Sequence, residues 1–239
     1  MRLDRFIAGL TELSRKDVKA ALSKGRVTVN GIPERDSARN IDEHADTVTL
    51  DLRPLAYKKH IHIMMNKPAG ILTATEDRHE KTVFDLLPPQ LQSKGLTPIG
   101  RLDKDTTGLL LLTTDGQLAH RLISPRHHVD KEYIATTDGT PDSADIAAFA
   151  QGIALTDFTA MPAVLEVIGE NQVRVVLHEG KYHQVKRMLA SRGKPVTALT
   201  RVRMGSIKLD KTLDAGAWRE LSAEEISALY GSAGTEEDV

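Results

Sequence analysis

Four consecutive leucines, Leu109-Leu110-Leu111-Leu112, constrain the fold more than any other stretch of the chain. Thr107-Gly108 precede them and Thr113-Thr114-Asp115-Gly116 follow. A short segment that is apolar at every position and closed by turn residues predicts a strand buried on both faces. Such a strand needs other elements on each side of its sheet. The polar stretch ahead of it, Gly100-Arg101-Leu102-Asp103-Lys104-Asp105-Thr106, then becomes a loop fastened to a rigid element. Reactive side chains are best positioned in such a place. On spacing alone, Asp103 reads most simply as a turn carboxylate, and Asp105 and Asp115 share that reading.

The rest of the 239 residues narrows the class. Hydrophobic residues make up 40%, enough for a core, and no apolar run approaches the ~20 residues of a membrane helix. The start, Met1-Arg2-Leu3-Asp4-Arg5, has no apolar leader, so cytoplasmic residence is expected. Without cysteine there is no disulfide framework, thiolate nucleophile or cysteine-based metal site. Aromatics are only 4%, which argues against a surface rich in base-stacking rings. The formal net charge of −1 conceals a strong asymmetry. Between Arg174 and Lys208 nine Lys/Arg face Glu179 alone, and between Arg2 and Arg39 nine face five acids. Past Arg219 there are six acids and no base. Two basic segments offset by an acidic end suit contact with phosphates.

Residues 1–58 read as a separate helix-helix-strand unit. Leu3, Phe6, Ile7 and Leu10 recur at helical spacing, and Ser14-Arg15-Lys16-Asp17 has the pattern of a capped helix start. Val18, Ala21 and Leu22 continue an apolar face up to Gly25. Val27-Thr28-Val29 is β-rich, Asn30-Gly31 predicts a tight turn, and residues 46–50 alternate like a strand. Residues 51–59, with Pro54, read as a linker. From 59 to 230, strands are expected at 60–65, 109–113, 131–136, 164–167 and 173–177. Helices are expected at 117–123, 144–152, 182–191 and 223–229, and Asn66-Lys67-Pro68-Ala69-Gly70 is expected to break a strand. This irregular interleaving predicts an α+β fold. Residues 231–239 are expected to form a mobile acidic tail.

Common catalytic signatures are missing. No G-x-x-x-x-G-K-[ST], G-x-S-x-G or H-E-x-x-H is present. The pairs His60/His62 and His127/His128 lack acidic partners at ligand spacing, so no metal is expected.

Gly100-Arg101-Leu102-Asp103 through Leu112-Thr113 resembles the defining motif of the RsuA-like branch of the pseudouridine synthases. Asn66-Lys67-Pro68-Ala69-Gly70, Lys131-Glu132-Tyr133, Glu179 through Leu189, and Val196 through Gly205 resemble other motifs of that family, in the same order. Residues 1–50 resemble an S4 RNA-binding module. The resemblance implies that Asp103 is the catalytic aspartate and that Tyr133 packs on the target base. It places Lys186 at the position paired to that aspartate, with Arg187 as the other possible partner, and Leu199 near the base. It implies a mixed, largely antiparallel sheet in the catalytic domain, an rRNA substrate without a cofactor and a monomeric enzyme. Arg2, Arg15, Lys16, Lys19, Arg126 and Arg187 would contact RNA. Small-subunit (16S) rRNA, free or in an assembling subunit, is the expected target. Large-subunit rRNA is the nearest alternative, and a non-catalytic S4-type assembly factor is the alternative from another class.

Overall fold

The computed structural model describes residues 1–43, 45–55 and 59–234. The chain divides into two compact units, Met1–Lys59 and His60–Val239.

In the first unit α1 (Leu3–Leu10) and α2 (Arg15–Ser23) bury Leu3, Phe6, Ile7, Val18, Ala21 and Leu22 together. Ser14 starts α2 through a capping box. Its hydroxyl accepts the Asp17 N–H, and the Asp17 carboxylate accepts the Ser14 N–H. Such a cap contributes about 1 kcal/mol. β1 (Val27–Val29) and β2 (Ile32–Pro33) form a hairpin. Its turn residues Asn30 and Gly31 have φ of 53° and 78°, as a two-residue primed turn requires. β3 (Val48–Leu50) and β4 (Arg53–Leu55) complete a sheet ordered β2-β1-β3-β4. β4 corrects the expected linker. Pro54 is compatible with it because β4 is the sheet's edge, where a missing N–H leaves no bond unmade. Residues 56–58 of that linker lie outside the described residues.

The second unit begins with β5 (His62–Lys67), α3 (Pro89–Gln92), β6 (Thr97–Pro98), β7 (Thr107–Thr113) and α4 (Gly116–Ile123). It continues through β8 (Lys131–Thr137), α5 (Ser143–Gln151), β9 (Val164–Gly169), β10 (Gln172–Leu177) and α6 (Gln184–Ser191). It ends with β11 (Val196–Met204), β12 (Ile207–Lys208), β13 (Trp218–Glu220) and α7 (Ala223–Ser232). The sheet order is β13-β5-β7-β11-β8-β10-β9, with β12 on β11 and β6 on β7. Among the described strands β7–β11 is the one parallel pair.

β7 is buried on both faces. Leu110 and Leu112 enter one core with Phe149, Val185, Met188 and Leu189 from α5 and α6. Leu109 and Leu111 enter a second core with Leu118, Leu122 and Leu229 from α4 and α7. All four leucines are inaccessible to solvent, each worth about 1.5–3 kcal/mol of burial. Gly108 lets β7 and β11 approach. Its φ is 95°, and a Cβ there would lie 2.3 Å from the Arg201 carbonyl oxygen.

Three expectations shift. β5 runs through Asn66 and Lys67, so the break falls at Pro68. The helix expected from Tyr182 begins at Gln184, because His183 takes a left-handed conformation. The acidic end expected from 231 starts inside α7, and Ala233 is fully buried; residues 235–239 lie outside the described residues.

His62 on β5 is buried, with Nδ1 3.0 Å from Thr113 Oγ1. Burial, with help from the neighbouring His60, pushes its pKa down to about 4, against the opposing charge of Asp115. A histidine in the unfolded chain titrates near 6.5, so between pH 6.5 and 4 the unfolded chain holds the extra proton. The stability tied to neutral His62 is therefore complete above about pH 6.5 and is lost as pH falls toward about 4. At about 1.4 kcal/mol per pKa unit the loss reaches about 3 kcal/mol. In urea unfolding, the stability lost between pH 7 and pH 4 is expected to be smaller by that amount in His62→Gln than in the parent protein. Parallel curves would contradict this assignment.

Candidate active site

Asp103 lies on the loop between β6 and β7, whose backbone is held from several sides. Lys67, at the end of β5, is fully buried. Its Nζ donates to the carbonyls of Pro68 (3.1 Å), Asp103 (3.0 Å), Lys104 (3.1 Å) and Thr106 (2.9 Å). An ammonium has three hydrogens, so the four acceptors share them. The Thr73 hydroxyl donates to the Leu102 carbonyl at 2.9 Å and accepts the Leu102 N–H at 3.2 Å. The Gly70 N–H reaches the Lys104 carbonyl at 2.8 Å. Burial pushes Lys67 down to about 8, while the Asp105 and Asp103 carboxylates oppose that shift. Hydrogen bonds to four carbonyls also favour the charged form.

Lys186, on α6, answers the charge of Asp103. Its Nζ is 3.1 Å from Asp103 Oδ2 and 2.5 Å from Asp105 Oδ1. Burial works against this ammonium, but bonds to Asp105 and Asp103 outweigh it and hold its pKa above the ordinary lysine value. The bond to Lys186 in turn lowers Asp105. Arg187 points elsewhere. It pairs with Asp157, and its guanidinium lies 5.0 Å from the Phe158 ring centre. Successive helical residues are turned by about 100°, so the two side chains leave α6 in different directions. The Nε2 atom of His183 lies 3.4 Å from Asp103 Oδ1 on the other side.

Asp103 and His183 border a cleft of about 420 Å3 that is open to solvent. Tyr133, Leu199, Leu177 and Val185 form its apolar wall, and Asp103, Arg101 and Thr106 its polar side. Tyr133 (on β8) and Leu199 (on β11) come from adjacent strands, paired through Leu199 with Ala135 and Arg201 with Tyr133. Tyr133 is only 9% exposed, so it is both a core aromatic and a wall of the cleft. The segment before α6 is locked by buried polar groups. Gln184 Nε2 donates to Glu179 Oε1 at 2.6 Å, Met161 N–H donates to the same oxygen at 2.8 Å, and Lys181 N–H donates to Gln184 Oε1 at 3.0 Å.

Of the residues expected from sequence, Asp103, Tyr133, Lys186 and Leu199 come together here. Arg126 is exposed on a single 3-10 turn, Pro125–His127, and neither it nor Arg187 lines the cleft. Arg15, Lys16 and Lys19 are exposed on α2, whereas Arg2 forks onto the buried Asp4 at 2.9 and 3.1 Å. Sequence reasoning missed Lys67, His183 and the second partner of Lys186, Asp105. It also missed Arg201, a buried guanidinium whose Nε donates to the Leu109 carbonyl at 2.8 Å. A lysine directly before Pro68 at a strand end was the one available signal for Lys67. Among the described residues no cluster of three His, Cys, Asp or Glu is placed to hold a metal ion.

The cleft therefore presents a carboxylate with a cationic partner beside an aromatic and aliphatic wall. That arrangement suits an ionised aspartate acting on a ring stacked against the wall.

Comparison with known proteins gives the same direction. The family model described as RNA pseudouridylate synthase matches residues 61–191. The chain is 44% identical over 232 residues to ribosomal small subunit pseudouridine synthase A of Pseudomonas aeruginosa, covering 96% of this chain and 100% of that one. It is 43% identical over 234 residues to the protein of the same name in Escherichia coli K12, covering 96% and 100%. A Bacillus subtilis relative named uncharacterized RNA pseudouridine synthase YtzG is 42% identical over 234 residues, covering 96% and 98%. A solved structure described as a pseudouridylate synthase superposes with a TM-score of 0.68 at 36% identity, covering 96% of this chain and 99% of that chain. The match to the family model takes in the Asp103 loop, Tyr133 and Lys186, and with near full-length relatives above 40% identity it establishes that this chain belongs to the RNA pseudouridylate synthases.

Proposed function

We propose that the chain converts a uridine of small-subunit (16S) ribosomal RNA to pseudouridine, with Asp103 as the reacting carboxylate. The observation that carries this reading is the Lys186 ammonium 3.1 Å from Asp103 beside a cleft walled by Tyr133 and Leu199. The reaction breaks the N1–C1′ bond, turns the base, joins C5 to C1′ and releases the C5 proton. No electron is gained or lost. A carboxylate serves it either by attacking C1′ or by removing the C2′ proton. Both routes use the carboxylate in its ionised form, with the Lys186 ammonium beside it as counter-charge. Flipping the uridine out of its stack costs a few kcal/mol, and a tyrosine face returns about 1–3 kcal/mol of it.

The small-subunit target is supported by the Pseudomonas and Escherichia relatives, whose names specify it. In this reading the protein works in the cytoplasm as a monomer on rRNA or on an assembling small subunit. Arg15, Lys16 and Lys19 contact backbone phosphates, and Arg126 and Arg187 add to the positive surface. A non-catalytic assembly factor would have no use for a carboxylate–ammonium pair at the edge of a cleft.

Asp103→Asn is expected to abolish isomerisation while RNA affinity stays within about twofold, a few tenths of a kcal/mol. Asp105→Asn is expected to retain turnover, lowered by about tenfold, or ~1.4 kcal/mol of barrier, because Lys186 loses one of its two anchors. Release of tritium from [5-3H]uridine in transcribed 16S rRNA reads both; equal losses in the two variants would remove the special role of Asp103. Replacing Arg15, Lys16 and Lys19 together by Ala is expected to flatten the dependence of log affinity on log salt by about 0.7–0.9 per lost phosphate contact. An unchanged slope would mean that α2 does not anchor RNA. Pseudouridine mapping in a gene-deletion strain is expected to lose one small-subunit site and no large-subunit site; the reverse pattern would move the substrate to the large subunit.

A further inference from the structure

At the rim of the cleft an aromatic pair has no part in the chemistry described above. Tyr182 is 74% exposed, although the whole chain has only four tyrosines, four phenylalanines and one tryptophan. Its ring stacks on the His183 imidazole, with centres 3.8 Å apart and planes 18° from parallel. His183 lines the cleft and lies 3.4 Å from Asp103, so the stack begins at the reacting carboxylate and runs outward. The pair is held in place by its backbone. His183 has φ of 50° and ψ of 33°, a left-handed conformation uncommon outside glycine, and the Tyr182 carbonyl accepts an N–H from Arg187 at 3.5 Å. Lys181, the residue before the pair, lines the cleft and lies 5.8 Å from the Phe158 ring centre, so the rim is cationic as well as aromatic. An exposed ring whose inner neighbour reaches the active carboxylate leaves its outer face open to solvent in an otherwise aromatic-poor protein. Packing does not account for that placement, whereas stacking on a flat π-system does.

We infer that the Tyr182–His183 stack is a second nucleobase subsite, a platform for a base adjacent to the target uridine in the RNA strand. This rests on the pseudouridine synthase reading above. The uridine occupies the cleft against Tyr133. The strand leaving it passes Lys181, which meets its phosphate, and a neighbouring base lies on the Tyr182 ring. Base–aromatic stacking tolerates any base, so the platform holds the strand open beside the flipped uridine without reading its sequence. His183, placed between the platform and Asp103, joins the two subsites.

The test uses the full-length protein and pentanucleotide RNAs with one central uridine. 2-Aminopurine stands on its 5′ or its 3′ side, and matching RNAs carry an abasic site there instead. Stacking is expected to quench 2-aminopurine fluorescence at one of the two positions with the parent protein and with Tyr182→Phe, and not with Tyr182→Ala. At that position the abasic RNA is expected to bind the parent protein about 5- to 150-fold more weakly, the range for one stacked base. With Tyr182→Ala the abasic and base-bearing RNAs are expected to bind alike. Because Tyr182 is exposed, its truncation does not open the core. The proposal is overturned if the parent protein quenches neither position, if Tyr182→Ala quenches as the parent does, or if the abasic RNA loses nothing. Tritium release from 16S rRNA by the same preparation separates this from the underlying reading. Normal release without quenching removes the platform alone, and absence of release from any rRNA removes the enzymatic assignment.

Discussion

The buried ammonium of Lys67 is the interaction on which the site depends. Four backbone carbonyls, three of them from the Asp103–Thr106 turn, converge on one nitrogen at 2.9–3.1 Å. Each carbonyl would be costly to bury unpaired, and so would the cation. Together they satisfy one another and fix the path of the loop. Because Lys67 ends β5 and Thr107 begins β7, and these strands are hydrogen-bonded neighbours, the loop inherits the rigidity of the sheet's centre. Asp103 can then face the cleft without itself being spent on holding the turn together.

That division of labour explains the electrostatics of the cleft. Lys67 binds the backbone of the loop, whereas Lys186 binds its carboxylates. A lysine is a point charge without the fork of an arginine, so a single carboxylate would fix it loosely. Asp105 supplies a second anchor from two residues away, and Lys186 is held between the two. The wall opposite comes from β8 and β11, whose pairing sets Tyr133 and Leu199 side by side. The parallel β7–β11 contact, close enough to require Gly108, brings that wall to the end of the Asp103 loop.

Much of this was legible in the sequence. The leucine run carried the two-sided burial of β7, and its alternate side chains do enter two different cores. The helices of the first unit followed from apolar spacing and from the Ser14 cap. The carboxylate, its lysine and the cleft wall followed from family resemblance, not from spacing, since Asp103 and Asp105 look alike as turn residues. What stayed hidden has a common physical cause. Lys67, Lys131 and Arg201 are buried cations that bond to backbone carbonyls, and a carbonyl acceptor has no letter in the sequence. The left-handed turn at His183, which shortens α6 and lays the imidazole beside Asp103, likewise leaves no pattern at a non-glycine residue. β4 was hidden because Pro54 argues against a strand unless the strand is known to be at an edge.

The central claim is that Lys67 sets the position of Asp103 through the backbone. Single-turnover isomerisation of 16S rRNA by Lys67→Met, measured alongside thermal unfolding and RNA affinity, tests it most directly. The account predicts a folded protein that still binds RNA but turns over at least about 100-fold more slowly, the scale of a misplaced catalytic group. A folded Lys67→Met variant that isomerises uridine at the parent rate would contradict it.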